Sequence, residues 1–336
     1  MVLFRLPPHP VQRFYRGGKR IARFRRAGEW PPLAPEEWLA STTTVYGEAE
    51  VGLSRLEDGR VLRDVIAADP LTFLGPEHVE RFGPEPSLLV KLLDAEQRLP
   101  VHYHPDDDIA RQKIHYAFGK TEAWFVIHAD PGSVVWLGLR RPVTPEELAQ
   151  LLVQRDSEEL LKLLVEVPVQ VGDALYVPAG TPHAIGDGIM IVELQQASDL
   201  SILLEWWLFG EQFEANWHLG LGHDGALAAV SYLVWDEDRL RHNVRRVVRQ
   251  PGRFRLFPEA ADRFFRGERI VCRGSMDLEA GYQLLIILEG QGLARATTGA
   301  SLAFEAGDVF LAAHAAGPLT LEGDFDAVRC LPGVPY

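Results

Sequence analysis

Short apolar runs separated by Gly, Pro and Asp recur along the chain, and their period sets most of the expected fold. Ser87–Ala95 (SLLVKLLDA) is an apolar run broken by one lysine; it reads as a buried strand, although its periodicity also fits a short helix. VHYH (Val101–His104) alternates, and EAWFVIHA (Glu122–Ala129) and SVVWLGL (Ser133–Leu139) are β-prone runs divided by an ADPGS turn. Thr144-Pro-Glu-Glu147 places a cap, a first-turn proline and early acids before a segment periodic to about Val165, with a break near Arg155-Asp-Ser157. This predicts one or two helices. Strands resume in VEVPVQVGDALYVPAGTPHAIGDGIMIVELQQ, whose β-branched runs are divided by Gly-Asp, Pro-Ala-Gly and Gly-Asp-Gly.

Residues 211–250 carry the apolar density of helices, and from Phe254 onward short strands return. VQVGDALYVPAG (Val169–Gly180) and LAFEAGDVFLAAHA (Leu302–Ala315) echo each other as strand, Gly-Asp turn and strand, a weak internal repeat. The expectation is a mainly β protein of two sandwich units. Residues 1–210 form the first, with a helical insert near 143–165; residues 211–252 form a helical connector; residues 253–336 form the second.

Length and charge narrow the function classes. A chain of 336 residues suits two domains and needs no disulfide or metal staple for its core. A net charge of −13 disfavours nucleic acid as a partner, and the basic cluster Arg13, Arg16, Lys19, Arg20, Arg23, Arg25 and Arg26 reads as a solvated face. Two cysteines without spaced partners, Cys272 and Cys330, suit a reducing cytoplasm. No apolar run approaches the roughly 18 residues of a membrane span, and Arg5 with two prolines breaks any signal-like core at the N-terminus.

The chemistry concentrates in four residues. His102 and His104 lie two apart, so a strand turns both imidazoles to one face. Glu122 opens the next strand-like run, and His183 stands in the turn PAGTPHAIG. Three imidazoles and one carboxylate suit Zn, and also Fe, Mn, Co or Ni. His314 occupies the position in the second unit that answers to His183, but no His-x-His accompanies it, so that unit is expected to be structural. Asp106 and Asp107 read as turn chemistry and support for the ligands. Trp124, Trp206 and Trp207 could offer a flat surface to a ligand ring, with core packing the favoured reading for Trp124.

Three phrases carry a family resemblance. LLVKLLDAEQRLPVHYHPDD, GKTEAWFVIHADPG and VPAGTPHAIGDGIMIVELQQASD resemble, in order, those of the type I mannose-6-phosphate isomerases, zinc-dependent sugar isomerases of the cupin superfamily; EEWLAS (Glu36–Ser41) is similar to an N-terminal phrase of that family. The resemblance implies tandem cupin (jelly-roll) sandwiches, with His102, His104, Glu122 and His183 as ligands of one metal ion. His102 replaces the family's usual Gln. Lys120, Glu193 and Asp199 stand at matching positions, whereas the family's arginine ten residues after Glu193 is Leu203 here and its phosphate-contacting serine is Pro100.

An aldose–ketose isomerase of this kind would interconvert mannose 6-phosphate and fructose 6-phosphate through a cis-enediol. Glu193 is the candidate proton shuttle, and Lys120 the candidate to stabilise the enediolate or hold an anionic group. Leu203 and Pro100 open alternatives: an isomerase for an unphosphorylated sugar, or a sugar-binding cupin without turnover. An Fe-dependent oxygenase gains from His102 but loses to the GKTE and QQASD phrases. Arg16 and Arg140 are candidates to replace the missing cation. The sequence leaves the oligomeric state open.

Overall fold

A computed structural model describes residues 2–334. Its architecture is mainly β and antiparallel. One seven-stranded sheet runs in the order Val244–Arg246, Asp173–Val177, Glu122–Ala129, Ile189–Gln195, Leu89–Ala95, Glu36–Leu39 and Pro10–Val11. A three-stranded sheet, with Val134–Leu139 between Leu164–Pro168 and His183–Ile185, faces it across an apolar interior containing Trp124, Leu137, Ile185 and Ile191. The run SLLVKLLDA is a strand over Leu89–Ala95, buried at every position, which explains its near-continuous apolar character.

The second sheet gathers Gly252–Arg255, Phe265–Leu278, Leu319–Pro332, Gln283–Ala296 and Val309–Ala312, with Ser301–Glu305 on Gln283–Ala296. Its far edge is the strand Leu3–Arg5, so a strand from the N-terminal arm completes the C-terminal sheet. A shared core in which Phe125, Val192 and Leu92 meet Phe257, Phe265 and Leu284 joins the units. The echoed phrases build the same turn twice. Gly172 (φ 96°) and Gly307 (φ 85°) adopt the left-handed backbone each turn requires. In each, the following aspartate accepts a backbone N–H three residues back: Asp173 from Gln170 at 2.9 Å, and Asp308 from Glu305 at 3.0 Å.

The insert forms two helices, Pro145–Gln154 and Ser157–Lys162, capped by the side chains of Thr144 and Asp156 and divided at Arg155, whose φ is 54°. The stretch 211–250 departs from its helical reading. It contains a 3₁₀ turn (Glu211–Phe213), two helices of seven residues (Gly222–Ala228 and Glu237–Asn243) and the edge strand Val244–Arg246. Tertiary hydrogen bonds explain the difference: Ser231 N–H donates to Gly180 and Trp235 N–H to Leu139, drawing residues 231–235 out alongside the first unit. No helix of the described residues is long and apolar enough to cross a membrane.

The basic cluster is a solvated face only in part: Arg16, Lys19, Arg23 and Arg26 are exposed, whereas Arg13, Arg20 and Arg25 turn inward. Arg13 reaches Asp199, Arg20 reaches Asp94 and Asp130, Arg26 reaches Asp308, and buried Arg25 binds Glu37 and the carbonyls of Leu6 and Gly307. The arm is a clasp between the two units, because each of these cations faces an acid or carbonyl that the folded sheets supply.

Candidate metal centre and active site

The three histidines reach one point from three places in the chain. His102 lies in irregular extended backbone, not in a regular strand; its N–H donates to the His183 carbonyl and the His183 N–H donates back to the His102 carbonyl, at 3.0 and 2.8 Å. His104 stands two residues later on the same face. The ligating nitrogens of His102, His104 and His183 lie within 4.8 Å of one another, and this is the one cluster of three such residues found among the described residues.

Their tautomers are fixed by the backbone. Nδ1 of His102, His104 and His183 lies 2.8 Å from the carbonyl of Pro100, Leu200 and Thr181 respectively. A carbonyl only accepts, so each Nδ1 carries the hydrogen and each Nε2 presents a lone pair to the cavity, the arrangement that orients metal-ligating imidazoles. Burial holds the His102 imidazole well below its ordinary pKa and brings that of His104 to about 3, so both are neutral donors.

Glu122 borders this cluster. One carboxylate oxygen lies 2.9 Å from His104 Nε2 and 2.7 Å from Lys120 Nζ; the other accepts from Trp124 Nε1 at 3.0 Å and lies 3.2 Å from His183 Nε2. Burial opposes ionisation of Glu122, but Lys120 and then His104 outweigh it and hold the carboxyl well below the usual carboxylate range. His183 Nε2 is buried and without a hydrogen-bond partner. A divalent cation among the three nitrogens would satisfy it, and the donor set fits such an ion.

Beside the histidines runs a chain of buried charges. Lys120 Nζ is 3.8 Å from Glu193, and Lys91 Nζ lies 3.5 to 3.7 Å from Glu36, Glu193 and Asp199. Glu36 also accepts from Tyr15 at 2.6 Å and Trp38 at 2.7 Å. Burial pushes the Glu193 carboxyl up to about 8, with Lys91 opposing and Glu122 adding to the rise. For Glu36 burial acts in the same direction, but Lys91 and Arg13 prevail and hold it at about 2. The cavity these residues line measures about 50 Å³ and includes Pro100, Leu203, Arg13 and Phe14. Phe14 also packs against Phe209 and Phe213.

Lys91 and Arg13 were not singled out from the sequence. A signal for Lys91 existed: a single cation inside a fully buried strand must meet acids. Arg13 had only its alternation with Tyr15. Neither Arg16, exposed and bound to Gln97, nor exposed Arg140 lines the cavity. Trp206 and Trp207 also stay away from it: Trp206 is buried under Arg155, and Trp207 donates to Ser157. Trp124 is 1% exposed and packs edge-on to His183. Asp106 caps Ile109, and Asp107 accepts from Gly119 and Gln196, tying the loop before Lys120 to the end of the Glu193 strand.

The fold and this histidine centre define a double cupin with a site able to hold a metal. Comparison with known proteins shows what the chain is similar to. Residues 36–123 match the type I phosphomannose isomerase catalytic domain. A mannose-6-phosphate isomerase of Streptococcus mutans is 46% identical over 134 residues, which are 39% of this chain and 41% of that protein. A mannose-6-phosphate isomerase of Bacillus subtilis is 41% identical over 117 residues, 35% of this chain and 36% of that protein. The matched stretch thus spans well under half of these relatives. By fold the likeness extends over the whole chain: the crystal structure of the Bacillus subtilis mannose 6-phosphate isomerase aligns with TM-score 0.75 at 20% identity, covering 98% of this chain and 99% of that one. A mutant phosphomannose isomerase from Salmonella typhimurium aligns with TM-score 0.79 at 15% identity, covering 99% and 100%. These findings agree with the resemblance read from the sequence: part of the chain is similar to mannose-6-phosphate isomerases, and the whole chain shares their fold.

Proposed function

We propose that this chain is a metal-dependent aldose–ketose isomerase interconverting mannose 6-phosphate and fructose 6-phosphate through a cis-enediol. The observation that carries the reading is the convergence of three backbone-oriented imidazoles with Glu122, beside a wall bearing Lys120 and Glu193. The names of the relatives support the substrate. His102, His104, His183 and Glu122 would hold the ion, for which zinc is proposed because imidazole and carboxylate donors suit it. When bound, it would supply Lewis acidity toward the sugar oxygens on which charge develops.

The remaining work falls to the chain. Glu193 moves the proton between C1 and C2: a carboxyl lifted to about 8 is a far stronger base than an ordinary one and returns the proton readily near neutrality. Lys120, between Glu122 and Glu193, stabilises the enediolate. Lys91 on the opposite side of Glu193 keeps part of its population ionised. A hexose phosphate needs more room than about 50 Å³, so the cavity must widen to admit it.

The test is NMR detection of C1/C2 isomerisation and of solvent exchange at C2. Mannose 6-phosphate and free mannose are run side by side with zinc-loaded and chelator-treated protein. Turnover of the phosphosugar, lost on chelation and restored by zinc, is expected. Equal turnover by metal-depleted protein would overturn the metal-dependent reading. Turnover of free mannose alone would replace the substrate, and binding without C2 exchange would leave a sugar-binding cupin.

A further inference from the structure

We infer that Arg13, brought in by the N-terminal arm, makes the cationic contact to the substrate's phosphate that Leu203 cannot make; the inference rests on the isomerase reading and names how its site recognises the anion. Arg13 and Leu203 line the same cavity, and Arg13 is the one arginine lining it among the described residues. The arm therefore restores, from a distant part of the sequence, the charge lost where the family carries an arginine.

The guanidinium is built into the site. Its side chain is 13% exposed and forms a fork on Asp199, with Nη1 to Oδ2 at 2.9 Å and Nη2 to Oδ1 at 3.3 Å. That engages two of its five donors. Nε, 3.5 Å from Glu36, is buried without a hydrogen-bond partner. The two acids fix the guanidinium plane before any ligand arrives, so little side-chain freedom is lost on binding. Arg13, Lys91 and Lys120 line the cavity together with Glu36, Glu122 and Glu193, Asp199 stands against Arg13 and Lys91, and a divalent ion held by the histidines would tip the balance toward anions. A phosphate oxygen bridging free Arg13 donors would make charge-assisted bonds of the kind apolar Leu203 excludes.

The rival account makes Arg13 a clasp for Asp199 and nothing more. Arg13→Gln, Arg13→Lys and the double variant Arg13→Gln with Leu203→Arg, all zinc-loaded, separate the two accounts. Kinetics use mannose 6-phosphate and free mannose; calorimetric titration uses fructose 6-phosphate, fructose and inorganic phosphate. For Arg13→Gln the expected result is a loss of about 10- to 100-fold in kcat/KM and affinity for the phosphosugars, with the free sugars changed less than about twofold. Arg13→Lys should fall between, and Leu203→Arg should recover most of the loss. Equal losses for phosphorylated and free sugars, or unchanged binding of fructose 6-phosphate, would overturn the proposal. Should the wild-type protein isomerise neither sugar, the isomerase reading fails, while the titrations of wild type against Arg13→Gln still decide whether Arg13 holds the phosphate. Thermal melts confirm that each variant is folded, and Arg13→Lys keeps the test open if Arg13→Gln is not.

Discussion

The two cupin units turn the same corner with the same Gly-Asp device, and only the first sets a cluster of buried charge beside its apolar core. In the first, the strands around the turn at Asp173 enclose imidazoles, carboxylates and lysines. In the second, the strands around the turn at Asp308 enclose Phe304, Phe310 and Phe325, stacked or edge-to-face at 5.0 to 5.6 Å. His314, the counterpart of His183 by sequence position, lies in a 3₁₀ turn with its ring over Gly75. The contrast shows that the scaffold does not need the charged cluster. Both units are stable because apolar surface is buried. The first also accepts buried charge because every cation has acids within reach.

The sharpest way to break this contrast is to damage each interior and read both properties. His104→Ala should lower zinc affinity by at least about 100-fold, measured by competition with a chromophoric chelator, and abolish isomerisation while leaving the fold intact. Phe310→Ala should do the reverse, costing about 3–5 kcal/mol in denaturant unfolding while zinc stoichiometry stays at one per chain. Loss of zinc in the second variant would mean that the units are not separable in this way.

A next, comparable effect concerns Lys91, which sits 4.8 Å over the Trp38 ring and serves three acids. Lys91→Met fills the space but strands their charges, so about 3–5 kcal/mol of stability should be lost at neutral pH. The penalty should shrink in acid. Glu36 provides the pH signature: its carboxyl, ordinarily at 4.5, is held at about 2 by Lys91 and Arg13. A depressed folded pKa gives stability that is present in full above the ordinary value and is lost as pH falls from about 4.5 through 2. Acid titration of unfolding should therefore be shallower in that window for Glu36→Gln than for the wild type. Smallest should be Thr144→Ala, which removes the cap on Glu147 N–H at 3.2 Å and should cost about 1 kcal/mol with no change in zinc binding or turnover.

How much of the fold and site was legible in the sequence depends on the range of the interactions. His102 and His104 could be paired from a two-residue spacing, and the Gly-Asp turns from residues next to each other. The helix break at Arg155 was readable because Asp156, its neighbour, caps the helix Ser157–Lys162. Residues 231–235 were misread because their partners, Gly180 and Leu139, are remote in sequence. The same holds for the arm. Seven basic residues between Arg13 and Arg26 look like a solvated face until the sheets bring Asp94, Asp199 and Asp308 to meet three of them. Lys91 lay in plain view as a charge in a buried strand, but which acids would surround it depended on three other segments.

The strand Leu3–Arg5 pairs with Val309–Ala312, and Arg25 binds the Gly307 carbonyl across 282 residues. During synthesis the arm emerges long before the sheet it fastens to, and their meeting closes one of the longest loops in the molecule. Until then the clasp is unfastened at its C-terminal end, and Arg13 shares that arm. A chain interrupted late in translation would carry all four candidate ligands and every residue that lines the cavity, so the arrival of the second sheet fastens the arm and seals the shared core behind a site already assembled.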